Sequence, residues 1–199
     1  MRGHSDLRSF LFLLLLCLGL ASKKEHPVTS LMLRKLGKAG SFTQEQINNA
    51  RGILEQCVKH TTEVNQLSYV LATVILECGL RPIKEYRGSP DSELWHIQNR
   101  YWHTGFYGRG YVQLTWEFNY ATFGKLLNVD LLKNPDLALD SKISSKILCI
   151  GMTKGLFTGV GLSHYFGPGK ADWVNARRIV NGLDKAKEFA EHAALIARL

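Results

Sequence analysis

Two carboxylates stand eight positions apart in the stretch LATVILECGLRPIKEY: Glu77 and Glu85. Glu77 ends a mostly apolar run, Val64 to Leu76, just before the chain turns at Gly79. Glu85 lies beyond that turn, in RPIKEYRG. Burial beside Val74, Ile75 and Leu76 would disfavour the charged form of Glu77 and suit it to donating a proton. For Glu77 alone, a solvent-facing residue at a helix end is the plainer alternative. The second carboxylate across a turn favours chemistry. Cleavage of a glycosidic bond needs two such groups in unlike surroundings, one to protonate the leaving oxygen and one to activate or stabilise.

A second stretch, YGRGYVQLTWEFNY (107–120), follows a glycine turn with alternating polar and apolar residues. The alternation predicts a short strand with Gln113 and Thr115 on one side and Val112, Leu114 and Trp116 facing the core. Asn119, one helical turn beyond Thr115, can return to the polar side. Gln113, Thr115 and Asn119 would then form a cluster of amides and a hydroxyl able to hold a sugar and a water. Thr115 also suits the N-cap of the following helix, and both roles are compatible.

These residues need a scaffold, and helical periodicity dominates the chain. Ile47, Ala50, Ile53, Leu54, Cys57 and Val58 recur at helical spacing, with Thr43 and Gln46 forming a capping-box signature. The run from Val64 to Leu76 predicts a buried helix stopped by Gly79. Residues 80–110 are punctuated by Pro82, Gly88, Pro90, Gly105, Gly108 and Gly110 and read as a long loop. Further helices are expected around 116–127, 143–156, 171–180 and 185–199. The 199 residues suit one domain, mainly α with a small strand element, over 41–199. Residues 22–40, basic and polar and ending in glycine, read as a flexible lead-in.

The chain opens with Arg2 and Arg8 around an apolar run, Phe10 to Leu20, with small residues after it. The run is shorter than the roughly 20 residues needed to span a bilayer. It therefore predicts a signal peptide over 1–21 rather than a membrane anchor, and a secreted, extracellular protein without stable membrane insertion. Cleavage there removes two arginines and one aspartate, so the formal charge falls from +8 to +7. So basic a protein favours polyanionic partners. The charge is scattered, without a basic helix or aromatic-interleaved stripe, which argues against nucleic acid. Of the remaining cysteines, Cys57, Cys78 and Cys149, at most two can pair. None has the CxxC spacing of a zinc site. His60, His96, His103 and His164 fall in separate segments, so no metal and no cofactor is expected. A monomer is expected.

Three segments, LATVILECGLRPIKEY, YGRGYVQLTWEFNY and ARRIVNGLDKA, together resemble glycoside hydrolase family 19, which includes class I and II chitinases and related endolysins. The resemblance runs from about Leu67 to the C-terminus. It implies a lysozyme-like fold, mainly helical, with a small strand element beside a catalytic cleft, and inversion at the anomeric carbon. It implies Glu77 as general acid, Glu85 as the second carboxylate, and Thr115 as holder of the attacking water. Gln113, Asn119 and Asn181 would bind the sugar, and Tyr107 and Tyr111 in the same motif are further candidate sugar contacts. The chain departs from the family at Leu76-Glu77-Cys78, where His-Glu-Thr is usual, and its loop from Glu77 to Glu85 is about two residues shorter.

The expected activity is therefore a secreted inverting endo-glycosidase acting on β-1,4 bonds in N-acetylglucosamine-containing polysaccharide, chitin or peptidoglycan. The basic charge leans toward peptidoglycan, whose peptides and attached polymers are acidic. The alternative, prompted by Leu76 and Cys78, is a sugar-binding module that keeps the cleft without turnover. A basic wall- or nucleic-acid-binding protein would leave both carboxylates unexplained.

Overall fold

The computed structural model describes residues 24–199. The expected signal peptide lies outside the described residues. The first element corrects the reading of 22–40 as a flexible lead-in: Pro27–Ala39 is a helix, α1. Its start is set by His26, whose side chain accepts from the Val28 amide, and by Pro27 in the first turn. Thr29, Met32 and Leu36 share one face and are buried in the main core. Lys35 Nζ donates to the Ala197 carbonyl at 2.8 Å, tying this helix to the C-terminal one. Arg34, Lys35 and Lys38 colour the composition of the segment, while its narrow apolar stripe secures it.

Helix α2, Gln44–Cys57, begins with the predicted capping box: the Thr43 hydroxyl accepts from Gln46 N and the Gln46 side chain reaches back to Thr43 N. Helix α3, Val64–Cys78, is capped by the Glu63 carboxylate on the amides of Asn65 and Gln66. It stops at Gly79 in a left-handed conformation (φ 59°), the conformation that glycine adopts without penalty. Two later helices clamp these: α6, Ser141–Lys154, packs along α2, and α8, Ala186–Arg198, packs along α3. A Cys57–Cys149 disulfide staples α2 to α6, and Cys78 is free. A smaller cluster, including Leu114, Tyr120, Phe123 and Leu131, lies under α5, Glu117–Leu127.

The loop region holds more structure than its glycines and prolines suggested. Strand β1, Ile83–Lys84, pairs antiparallel with β2, Arg109–Gly110, setting Ile83 opposite Gly110 and Lys84 opposite Arg109. Between them lie α4, Glu93–Gln98, capped by the Ser92 hydroxyl, and a 3-10 turn at Trp102–Thr104. The strand expected over 111–116 does not form. Arg109 and Leu114 exchange both backbone hydrogen bonds, closing a tight loop with left-handed Gly110 (φ 83°), Gln113 (φ 53°) and, just beyond, Trp116 (φ 75°). A tight loop can also alternate inside and outside, which mimics a strand in sequence. Trp116, expected in the core, is 39% exposed.

Near the C-terminus the helix expected over 171–180 is also replaced. A short α7, Leu162–Tyr165, leads into β3, Phe166–Gly167, paired with β4, Lys170–Ala171, and then a 3-10 turn, Asn175–Ile179. The molecule is mainly helical with small strand elements, and no helix among the described residues is long and apolar enough to cross a membrane.

Candidate active site

Glu77 occupies the last turn of α3, where the buried helix delivers one carboxylate to the surface with its side chain 25% exposed. Its neighbour is a charge rather than the apolar wall expected from Val74, Ile75 and Leu76. Arg177 Nη1 lies 2.7 Å from Glu77 Oε1, a close charge contact without the alignment of a directed hydrogen bond. Arg177 comes from the 3-10 turn and is itself buried, its guanidinium 3.9 Å above the Phe189 ring and its Nε donating to the Asp184 carbonyl. A buried arginine stacked on an aromatic has little freedom, so it fixes the carboxylate that meets it. Asn181 follows one turn later, its amide donating to the Arg177 carbonyl, and its side chain is exposed.

The residues flanking Glu77 are apolar in effect. Leu76 packs against the core. The Cys78 thiol points back at the Val74 carbonyl (3.3 Å) and toward the Tyr111 carbonyl (3.7 Å). Burial pushes its pKa up to about 12, so it is a neutral thiol rather than a nucleophile.

Glu85 follows β1 directly. The hairpin sets it beside Gly108: Glu85 N donates to the Gly108 carbonyl and Gly108 N donates to Glu85 Oε2, both at 2.8 Å. Two further donors reach Oε1, Tyr101 Oη at 2.6 Å and Gln98 Nε2 at 2.9 Å. Gly108 has no room for a side chain: a Cβ there would stand 2.8 Å from Gln113 Oε1 and 3.1 Å from Glu85 Oε2. Gln113 and Glu85 therefore converge on the glycine that opens the GRG motif. The second glycine, Gly110, needs its positive φ and its bare backbone, since a Cβ would meet Ser144 Oγ at 2.5 Å.

Gln113, Thr115 and Asn119 are brought together, though by the tight loop rather than by a strand. Thr115 Oγ1 donates to the Gln113 carbonyl and Asn119 Nδ2 donates to the Thr115 carbonyl, each at 2.8 Å. Thr115 is not the helix cap; that position is Trp116, without a side-chain cap. The Thr115 hydroxyl keeps its lone pairs for another partner. The Gln113 amide donates to the carbonyls of Ile83 and Gly110, which fixes the side chain with its oxygen beside Gly108.

One expected sugar contact is corrected. Tyr111 is completely buried in the main core, because the turn at Gly110 swings it inward. Tyr107 is half-buried, its ring stacked on Trp102 (4.2 Å) and near the Arg109 guanidinium (4.0 Å), so part of it stays open at the surface. Sequence reasoning overlooked Arg177, Gln98 and Tyr101. The first stands in the quoted ARRIVNG segment, where its helical surroundings gave no sign of a buried charge. The other two lie in a stretch without periodicity.

The buried helix, the small hairpin facing it and the core beneath them define a lysozyme-like fold. Chitinase C of Streptomyces griseus has a similar fold: the two superpose with a TM-score of 0.56 over 88% of this chain and 95% of that one, at 20% identity. Residues 82–155 match the family model described as "Chitinase class I". Endochitinase 1 of Theobroma cacao is 55% identical over 42 residues, covering 21% of this chain. The Inactive chitinase-like protein 1 of Hevea brasiliensis is 48% identical over 40 residues, covering 20%. These alignments span 13% of the length of either plant protein.

Proposed function

We propose that the protein is a secreted, inverting endo-glycosidase that hydrolyses β-1,4 bonds in N-acetylglucosamine-containing polysaccharide. The observation that carries this reading is the difference between its two carboxylates. Glu77 sits at a helix end beside one fixed arginine, and Glu85 sits in a hairpin with amide, hydroxyl and backbone donors around it. Glu77 protonates the glycosidic oxygen. Glu85 deprotonates a water held by the Thr115 hydroxyl, and the water attacks the opposite face of the sugar. Inversion requires the carboxyls to stand roughly 6.5–9.5 Å apart, leaving room for that water. Gln113, Asn119 and Asn181 orient the sugar, and a monomer suffices. The match of 82–155 to the "Chitinase class I" family model and the local similarity to named endochitinases support the reaction class. The Cys57–Cys149 disulfide suits an oxidising compartment and supports export through residues 1–21.

Incubating the protein separately with chitin oligomers and with purified peptidoglycan, and following the anomer first released, tests the reading. Initial release of the α-anomer from either polymer is expected, and the productive polymer identifies the substrate. β-Anomer products would exclude inversion. A second reading, a binding module without turnover, is favoured by Leu76 and Cys78, whose side chains offer Glu77 no polar partner, and by the kinship to a chitinase-like protein named inactive. Binding of both polymers with no products would establish it.

A further inference from the structure

We infer that Tyr101 and Gln98 are positioning residues that anchor one oxygen of Glu85 and leave the other, Oε2, as the atom that takes the proton from the attacking water. The inference rests on Glu85 being the general base. A carboxylate oxygen has two lone pairs. Both on Oε1 are occupied, by Tyr101 Oη at 2.6 Å and Gln98 Nε2 at 2.9 Å. Oε2 accepts only from Gly108 N and keeps one lone pair. In the step, a water O–H bond breaks, its proton goes to Oε2, and its oxygen bonds to the anomeric carbon as the glycosidic bond breaks.

Neither donor is free to turn away. Gln98 is fully buried. Its Oε1 accepts from Gly88 N at 2.8 Å and its Nε2 also donates to the Tyr86 carbonyl at 2.7 Å, so the amide cannot flip without losing partners. Tyr101 is buried, with its ring edge-on to Trp116 at 5.1 Å. Burial, and then the hydrogen bond to Glu85, hold its phenol well above the ordinary range, so it stays a donor at any working pH. The two stand three positions apart, with Tyr101 N donating to the Gln98 carbonyl, which places both on one side of the turn that ends α4. Beneath them Arg87 lies between Trp95 and Trp102, bracing the loop from which they project.

The test is a double-mutant cycle on a soluble fragment of whichever polymer the wild type cleaves, a chitin hexamer or a peptidoglycan fragment, with melting temperature recorded for every variant. Tyr101→Phe keeps the ring and removes only the donor. It is expected to lower kcat about ten- to a hundredfold, the usual worth of a hydrogen bond to a charged group, with KM unchanged. In a Glu85→Gln background the same change is expected to have no further effect, because the group it serves is gone. Equal losses in both backgrounds, or a Tyr101→Phe protein with wild-type kcat, would overturn the inference. If Tyr101→Phe does not fold, Gln98→Glu takes its place in the cycle. It keeps the acceptor for Gly88 and turns the donor into an acceptor, and the same two results decide. Wild-type turnover by Glu85→Gln would sink the base assignment instead, and a wild type that turns over neither chitin nor peptidoglycan fragments would sink both.

Discussion

The two walls that carry Glu77 and Glu85 are built by different physics. The Glu77 wall is helical: α3 is buried along most of its length against α8, α1 and α2, and apolar packing fixes where its last turn points. One charge contact, from Arg177, completes it. The Glu85 wall has two-residue strands, a six-residue helix and a 3-10 turn. Polar bonds and stacked rings hold it, and few of its side chains enter the main core. Such a region is stiff only while each donor meets its acceptor. The helical wall should therefore tolerate loss of a polar contact and suffer from a cavity, and the loop wall should do the reverse.

The sharpest break is at the proposed acid. Glu77→Gln keeps shape and fold but removes the proton, so turnover should fall about 10²–10⁴-fold while binding of a chitin or peptidoglycan fragment persists. Wild-type rates from that variant would remove Glu77 from the mechanism. Next comes the core of the helical wall. Leu36→Ala, in the helix first read as a lead-in, should cost about 2–5 kcal/mol in chemical denaturation, with kcat of the folded fraction unchanged. Deleting residues up to 40 should lower the melting temperature for the same reason, and an unaltered one would mean that α1 does not pack.

On the loop wall, Gly108→Ala should do the opposite. Its Cβ would push Gln113 Oε1 and Glu85 Oε2 apart, so activity should drop, by up to about 10²-fold for a misplacement on the order of 1 Å, with little change in unfolding. An equal fall in stability would contradict the contrast between the walls. The smallest effect is expected at Thr115→Val, about tenfold in kcat, because it removes one hydrogen bond to the water and leaves the base in place.

Much of the helical wall was legible in the sequence. The Thr43–Gln46 box, the apolar run of α3 and the glycine stop at Gly79 are local signals, and each acts through residues within a turn of itself. The same locality brought Gln113, Thr115 and Asn119 together correctly even though the predicted strand was a tight loop. Tyr111 was misread because the direction of one side chain depended on the φ of Gly110, which sequence alternation does not encode.

By itself, the sequence determined where α2, α3, α5, α6 and α8 lie, that one disulfide at most could form, and that two carboxylates flank a turn. The tertiary structure decided which cysteines pair, that residues 27–39 belong to the core, and what surrounds each carboxylate. Arg177 meets Glu77 from 100 residues away in the chain, and Tyr101 and Gln98 reach Glu85 across a loop. Capping and periodicity are set by neighbours in sequence, whereas the environment of a charge is set by whatever the packed chain brings to within a few ångströms of it.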